Sequence, residues 1–302
     1  MTARLDPQSE IAPANPVGAN PVWVHPAEAG LAGTGIPGIR LAEPWSGRGV
    51  NWIGLWTLCR KEVERFLKVL GQTVLAPMAT SVLFLAVFAL ALGKSGVSIG
   101  GVKYVEFLAP GLIMVAVAQN AFANTSSSLI IAKLNGTLVD ILMPPLSADE
   151  LLFGYVVGGV ARGLIVALAV IAAIFPFVNL GVFDGMYLIY FLFSGCLLFS
   201  LFGVFTGIWA EKFERVAAVT NFVVSPLALL SGSFYSIDRL PEIWQTIIHF
   251  NPMFFITAGF RYGAIGYADG NLAIAAAGLL GWNVFAWVLC RQLVARGWRL
   301  KT

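Results

Sequence analysis

Residues 133–154 read KLNGTLVDILMPPLSADELLFG and connect two long apolar runs. The first part mixes polar and apolar residues until Pro144-Pro145, where proline stops a helix because it lacks the backbone N–H and its ring clashes with the preceding turn. Ser147 and Glu150 follow in the S-x-x-E spacing of a capping box, which starts a new helix. The sequence therefore predicts a stiff connection between two long helices, here called the elbow.

The elbow contains a second helix signal before its prolines. Residues 130–143 carry Lys133, Asn135 and Asp140 among apolar positions, as in a half-exposed helix. Gly136 is a poor helix former and predicts a bend within this piece. A stiff elbow can transmit a push or a pull from a partner to the helices that it joins. An ordinary capped turn is the simpler interpretation of the same pattern.

The chain on both sides of the elbow is too apolar for a soluble protein. Of its 302 residues, 58% are hydrophobic and 12% are charged, the net charge is +3 and the mean hydropathy is +0.81; soluble globular proteins carry about 25% charged residues. A helix needs about 20 apolar residues to cross a bilayer. Six runs are that long: 73–93, 106–129, 151–176, 186–210, 216–235 and 271–290. The predicted fold class is all-α, a polytopic membrane protein with six transmembrane helices, and the small net charge gives no reason to expect binding of nucleic acid.

Basic residues near the ends of the spans predict the orientation, because cytoplasmic segments carry an excess of Lys and Arg. Twelve lie on the side of the termini and the elbow: Arg48, Arg60, Lys61, Arg65, Lys68, Lys133, Lys212, Arg215, Arg291, Arg296, Arg299 and Lys301. Four lie on the opposite side: Lys94, Lys103, Arg239 and Arg261. Both termini and the elbow are therefore predicted to be cytoplasmic.

Two segments precede the first span. Residues 1–48 hold seven of the fifteen prolines and show no hydrophobic periodicity, which predicts a disordered cytoplasmic arm, and no early apolar run resembles a signal peptide. Residues 49–72 read as an amphipathic helix at the membrane interface, with Trp52 and Trp56 in its apolar stripe. Its polar side, expected to face the lipid headgroups, carries Arg60, Lys61, Glu62, Glu64, Arg65 and Lys68. A polar beginning of the first span is the other interpretation.

Residues 231–270, between the fifth and sixth runs, are too apolar for a free loop. Pro241 suits the first turn of a helix, and Asn251-Pro252 must interrupt that helix. Two short apolar helices result, and this pattern predicts a re-entrant or interface-lying hairpin on the outer side before the last span; two further spans are the alternative. Its aromatic residues can stack on sugars or anchor at the interface: Trp244, Phe254, Phe255 and Tyr262.

Polar residues inside the predicted spans are the candidate lining of a transport path. Gln119, Asn120 and Asn124 lie within the second run, and Asn120 and Asn124 share one helix face with Ser127 and Ser128. This pattern is typical of hydrogen bonds between membrane helices, and equally of a polar wall along a conduit.

Arg162 is the sharpest of these signals because it lies eleven residues into the third run. A charge near the centre of a membrane helix costs about 2.5–3.5 kcal/mol on insertion scales, and no Asp or Glu lies mid-span to neutralise it. Its side chain can snorkel to the inner surface, pair with backbone carbonyls and the amides of the second span, or meet an anionic substrate.

Motifs of catalysis and nucleotide binding do not occur in the sequence. Gly93-Lys94-Ser95 resembles the end of a phosphate-binding loop, but Phe88 occupies the position that requires glycine. The patterns G-x-S-x-G and H-E-x-x-H are missing, and the cysteines show no metal-ligand spacing. The chain is therefore expected to have no catalytic site and no metal site of its own.

Three features together resemble the permease subunits of type-2 ABC exporters, the ABC-2 membrane family. They are the amphipathic helix before the first span, the NGTLVDILMPPLSADELLFG elbow, and SGSFYSIDRLPEIWQTIIHFNPMFFITAGFRYGAIG before the last span. The resemblance covers about residues 50–300 and looks especially like the branch with the YadH-type permeases and the exporters of nodulation factors and polysaccharides. The long N-terminal arm departs from the family pattern.

The resemblance implies a division of labour between subunits. Two copies of the permease pair as a homodimer in the bacterial inner membrane, and each docks on a separate ATPase subunit that binds ATP and Mg²⁺, so this chain needs no cofactor. The elbow would be the coupling helix, through Lys133, Leu134, Asn135, Gly136, Thr137, Val139, Asp140, Leu142, Pro144 and Pro145. The candidate substrate path comprises Gln119, Asn120, Asn124, Arg162, Phe234 and Tyr235.

The leading hypothesis is therefore an exporter that works by alternating access on a lipid-linked glycan, another amphiphile or a drug-like molecule. A non-transporting membrane scaffold or assembly factor is the rival from another class, and it predicts no ATPase partner. An integral-membrane enzyme would need clustered ionisable residues within the spans, where only Arg162 lies.

Overall fold

The computed structural model describes residues 49–92, 98–178, 180–237 and 241–298. Outside these residues lie the predicted arm, residues 1–48, and the basic residues Lys94, Arg239, Arg299 and Lys301 of the charge argument. The division into arm, amphipathic helix and transmembrane domain stays a prediction.

The described residues are mostly helical. The first half contains α1 (Trp52–Leu67), α2 (Leu70–Leu92), a hairpin of the two-residue strands β1 (Ser98–Ile99) and β2 (Val102–Lys103), α3 (Tyr104–Leu134), α4 (Leu138–Leu142) and α5 (Ala148–Ile174). The second half contains α6 (Gly185–Trp209), α7 (Phe213–Val219), a π-helical segment (Thr220–Val224), α8 (Ser225–Leu229), α9 (Glu242–Ile248), α10 (Pro252–Ile265) and α11 (Leu272–Ala295).

Five helices are long and apolar enough to cross a membrane within the part of the chain that the structure describes: α2, α3, α5, α6 and α11. They correspond to the first, second, third, fourth and sixth predicted runs. The predicted fifth span, 216–235, differs, because its helix ends at Leu229 and is interrupted by the π-helical segment. The chain then turns at Gly232, whose φ of 68° is left-handed. The count of six spans therefore remains a prediction.

The centre of the fold is α3, which is buried between α5 and α6. Glycines allow this close approach: Gly203 and Gly207 of α6 lie against Phe122 and Leu129 of α3, with no room for a side chain. The hydroxyl of Thr125 donates a hydrogen bond of 2.8 Å across the same contact, to the carbonyl of Ser200. Small residues at such contacts let membrane helices pack backbone to backbone.

Glycines on two faces of α5 position its neighbours. Gly154 and Gly158 face Leu58 and Glu62 of α1, four residues apart on both helices. Gly159 and Gly163 lie one position further round and face α6, against Ser200 and Cys196. These two G-x-x-x-G patterns place α1 against one side of the N-terminal half of α5 and α6 against another side.

The segment before the last span forms two helices, as predicted, and breaks at Asn251-Pro252. The side chain of Asn251 caps α10 by accepting a hydrogen bond of 2.9 Å from the N–H of Met253. Most of α10 is buried against α3, α6 and α11, whereas α9 is largely exposed. A re-entrant position in a membrane stays a prediction.

Contacts between distant segments define one end of the helical domain, here called the elbow end. The N–H of Asn51, at the start of α1, donates a hydrogen bond of 2.6 Å to Glu150 of α5. Asp149 forms an ion pair of 2.8 Å with Arg291 near the end of α11. The beginning of α1, the elbow and the end of the last helix therefore lie together.

A second group of contacts defines the opposite end, here called the hairpin end. The hydroxyl of Tyr104, at the start of α3, donates a hydrogen bond of 2.9 Å to the carbonyl of Phe234. Arg261 of α10 donates to the carbonyl of Phe107 at 3.2 Å. About 45 Å of helix separates the two ends along α3. The described basic residues of the two predicted sets thus lie at different ends, while the cytoplasmic assignment of the elbow end stays a prediction.

Candidate functional site

A cleft of about 650 Å³ lies between α2, α3 and α5. One face of α2 borders it with Thr73, Ala76, Thr80 and Phe84, which recur at helical spacing, among other residues. Four of the six residues expected to line a substrate path face it: Gln119, Asn120, Arg162 and Phe234. The structure therefore brings most of the predicted path into one cavity.

Arg162 is fixed in the cleft by an amide of α3. Its Nη2 donates a hydrogen bond of 3.0 Å to Oδ1 of Asn120, while its Nε is buried without a partner. Of the alternatives considered for this arginine, pairing with an amide of the second span is present. Among the residues that the structure describes, no carboxylate lies within ion-pair distance of Arg162.

Asn124 was expected on the substrate path, and the structure corrects this. It is fully buried behind the cleft. Arg65 of α1 donates to both its carbonyl, at 2.7 Å, and its side-chain oxygen, at 2.9 Å. The polar face of α3 at this level therefore holds α1 in place, which agrees with hydrogen bonding between helices rather than a conduit wall.

Tyr235, also predicted on the substrate path, does not line the cleft. It packs against a small cluster of Ile237, Ile248, Phe254 and Ala258 beside the hairpin. Phe234 lies in the cleft but its neighbour does not, because the two side chains leave an irregular, non-helical segment in different directions. Sequence alone does not specify such directions.

The polar side of α1 also differs from the prediction. Glu62 was expected to face headgroups, yet it is 0% exposed and accepts a hydrogen bond of 2.8 Å from Ser128 of α3. Arg65 lies 3.4 Å from Glu62 and is 26% exposed. The side that packs on the bundle is the row Leu58, Glu62 and Phe66, and Gly158 of α5 leaves space for the Cβ of Glu62. Trp52, which belongs to the predicted apolar stripe of the interface helix, is 71% exposed and does not pack on the bundle.

We expect Glu62→Gln to lower the thermal denaturation midpoint of the detergent-purified protein. The change leaves Arg65 beside a neutral amide and weakens the bond from Ser128; hydrogen bonds to charged groups contribute about 1.5–3 kcal/mol. Differential scanning fluorimetry measures the shift.

Glu64→Gln is the matched control for this change. Glu64 is exposed on the other side of α1, where a hydrogen bond from Arg60 at 2.6 Å holds the pKa of its carboxyl below its usual range. Exposed pairs of this kind contribute little to stability, so the midpoint should stay at the wild-type value. Equal shifts for the two variants would contradict the assigned role of Glu62.

The elbow has the bent and capped form that the sequence predicts. The helix α3 ends at Leu134, Gly136 takes a left-handed φ of 70°, and the five-residue α4 follows. Ser147 and Glu150 form both hydrogen bonds of the capping box, at 3.2 and 2.6 Å. The elbow is thus a short helix held between two fixed turns.

The surface of the elbow is apolar and open. Leu134, Val139 and Met143 are 52%, 59% and 75% exposed, whereas Leu138 is buried beneath them. A groove of about 430 Å³ separates α4 from α1 and is bordered by residues of both. This exposed patch, together with Asp140 and Leu142, contains four of the ten residues predicted for coupling: Leu134, Val139, Asp140 and Leu142.

Lys133, which is also predicted for coupling, does not belong to that exposed patch. Its Nζ donates to the carbonyls of Ile208 and of Ala210, the latter at 3.1 Å, at the end of α6. A lysine at this place satisfies carbonyl groups that a helix C-terminus leaves without partners. It therefore fixes the elbow to α6.

Sequence reasoning missed the role of Arg261, a buried charge with several partners. Arg261 is 1% exposed, forms an ion pair with Asp269, donates to the carbonyl of Gly232 at 2.8 Å and lies 3.7 Å from the centre of the Phe107 ring. The hydroxyl of Tyr267 also donates to Asp269, at 3.2 Å. The available signal was an arginine inside a buried-looking apolar segment with an aspartate eight residues later.

Comparison with known proteins finds relatives for the helical part of the chain. Residues 54–265 match the family described as ABC-2 type transporter. The inner membrane transport permease YadH of Escherichia coli K12 is 36% identical over 251 residues, which cover 83% of this chain and 98% of that protein. Nodulation protein J of Rhizobium leguminosarum bv. trifolii is 24% identical over 215 residues, 68% of this chain and 78% of that protein. The chain belongs to the ABC-2 type transporter family.

Proposed function

We propose that this protein is the membrane permease of an ATP-driven exporter and that its elbow receives force from a separate ATPase subunit. The observation that carries the proposal is the exposed apolar surface of α4 on a connection that is braced at both ends. Family membership supports the role of a transporter permease, and a subunit of this family works with an ATPase partner in general.

The bracing of the elbow suits the transmission of force. Glu150 binds the backbone N–H groups of both Asn51 and Ser147, each at 2.6 Å, so that α1 and α5 start from one carboxylate. Lys133 joins the other side of the elbow to the end of α6. A displacement of α4 would therefore be passed to α1, α3, α5 and α6 through these contacts.

The remaining parts of the proposal follow from this arrangement. The elbow end faces the cytoplasm of a bacterium, whose inner membrane the six-span protein crosses with both termini inside. Two copies pair, two ATPase subunits bind ATP and Mg²⁺, and this chain is not an enzyme by itself. Alternating access opens the cleft of Arg162 first inward and then outward, past the hairpin of α9 and α10. The cargo is an amphiphile, for example a lipid-linked glycan or a drug-like molecule.

Val139→Asp tests the docking of the ATPase. Val139 is 59% exposed at the centre of the elbow, and a carboxylate there has to be desolvated against the partner surface. We expect the affinity for the ATPase to fall by at least about tenfold, equivalent to about 1.4 kcal/mol. The tagged chain is purified from its native membrane, and the co-purified ATP-binding subunit is quantified by mass spectrometry.

Val182→Asp is the control, because Val182 is 72% exposed in the connection between α5 and α6, at the hairpin end. It should retain the wild-type amount of ATPase. If the wild-type chain brings down no ATP-binding subunit, the proposal is wrong and the scaffold hypothesis gains support. Equal losses for both variants would contradict a docking role of the elbow.

A further inference from the structure

Two guanidinium groups face the cleft between α2, α3 and α5. Arg65 reaches it from α1 and Arg162 from α5. Every other side chain that lines the cleft, among the residues that the structure describes, is neutral, and Thr80 and Gln119 add uncharged hydrogen-bonding groups. A ligand in the cleft therefore meets net positive charge, which favours an anion and disfavours a cation.

Arg162 is the less compensated of the two arginines. Arg65 has the carboxylate of Glu62 at 3.4 Å, but the hydrogen bond of Arg162 goes to the neutral amide of Asn120. Its Nε is buried and has no acceptor, and an unsatisfied buried donor carries its desolvation cost in full. A guanidinium presents paired N–H donors that match the oxygens of a phosphate.

The other part of the cleft is apolar and aromatic. The ring centroids of Phe84 and Phe234 lie 6.3 Å apart, and Leu112 of α3 borders the same region. Leu112 and Asn120 are separated by about 12 Å of helix. The cleft thus changes from cationic to apolar over a distance that suits an amphiphile lying along α3.

We propose that this cleft binds an amphiphile with a phosphate head, which lies between Arg65 and Arg162 while its apolar part contacts Phe84 and Phe234. The volume of about 650 Å³ is typical of small-molecule sites, which measure about 300–1,000 Å³. That this amphiphile is the exported cargo rests on the proposed export function. The inference adds that the cargo is anionic. Binding itself is independent of the ATPase.

Direct binding to the full-length chain tests the inference. The protein is placed in nanodiscs of uncharged lipid and titrated with dioctanoyl phosphatidic acid and, separately, with dioctanoylglycerol, which has the same chains and no phosphate. We expect phosphatidic acid to bind at least about tenfold more tightly, because charge-assisted hydrogen bonds are roughly twice as strong as neutral ones. Inorganic phosphate, as a competitor at the same concentration, should displace little of it.

Arg162→Gln should reduce the preference for phosphatidic acid to about threefold or less, and Arg162→Lys should retain an intermediate preference. Arg215→Gln is the control: it removes an exposed guanidinium that pairs with Glu211 outside the cleft. This variant should keep the wild-type preference. Thermal denaturation checks the fold of each variant, and if Arg162→Gln does not fold, Arg162→Lys carries the comparison.

Equal affinities for the two probes would overturn the proposal, as would an unchanged preference in Arg162→Gln, since a purely structural arginine alters stability but not this ratio. If inorganic phosphate at equal concentration displaced phosphatidic acid, the arginines would bind a free anion, and the proposal of an amphiphilic ligand would be overturned. Co-purification of the ATPase separates the two proposals. A chain that brings down its ATPase but shows no phosphate preference loses this inference alone, and the reverse result removes the export function alone.

Discussion

Arg261→Met is expected to lower the thermal denaturation midpoint of the purified protein more than any other change considered, and to reduce the yield of folded protein. Arg261 joins α10, α3, the turn at Gly232 and Asp269 before α11 through its ion pair and hydrogen bonds. Removal of one partner from a buried ion pair costs about 3–5 kcal/mol, because the remaining charge stays buried and unpaired. Differential scanning fluorimetry and size-exclusion chromatography in detergent measure both effects.

Arg291→Gln provides the matched control, because Arg291 also pairs with an aspartate. In this pair the side chain of Arg291 is 55% exposed and that of Asp149 is 48% exposed. Loss of the pair should therefore cost no more than about 1 kcal/mol. The double variant Arg261→Met with Asp269→Leu should recover part of the lost midpoint, since no unpaired charge remains. A midpoint for Arg261→Met equal to that of Arg291→Gln would contradict the structural role.

Gly203→Ala should separate α3 from α6 and destabilise the protein by about 1–3 kcal/mol or more, the usual cost of overpacking. A Cβ at Gly203 would overlap the carbonyl oxygen of Phe122 and the hydroxyl oxygen of Thr125. The carbonyl belongs to the backbone of α3 and cannot rotate away, so the two helices must move apart. The denaturation midpoint and the susceptibility to limited proteolysis report the change.

Gly281→Ala is the control for this substitution, because it makes the same chemical change within α11. A Cβ at Gly281 has no atom within 4 Å, and alanine favours a helix over glycine by about 1 kcal/mol. The midpoint should therefore stay the same or rise. A fall as large as that of Gly203→Ala would show that the loss of glycine, rather than the contact with Phe122, explains the result.

Local signals predicted much of the secondary structure. The apolar runs identified five long helices, since length and apolarity are properties of a segment by itself. The same holds for the helix start at Ser147 and the break at Asn251-Pro252, because capping and the lack of a proline N–H act within a few residues. The π-helical turn at Thr220–Val224 was not predicted, because such a turn leaves no clear mark in composition.

Partners of charged residues were not predictable in this way. Glu62 and Lys133 look like surface residues on the segments that carry them, yet one is buried against α3 and the other binds the end of α6. Their partners on α3 and α6 lie 66 or more positions away. A helical pattern gives the face of a residue but not the neighbour that covers this face.

The sequence by itself determined the family of this protein, its helical class and its stiff elbow, because these depend on composition, spacing and short-range capping. The tertiary structure alone decided which polar groups meet. In the structure, Asn124 and Tyr235 lie outside the cleft, whereas Arg65 and Arg162 both line it. Arg261 is buried at the hairpin end. The physical reason is that glycine contacts on α5 and α6 set the distances between helices, and these distances determine whether a charge finds a partner or faces a cavity.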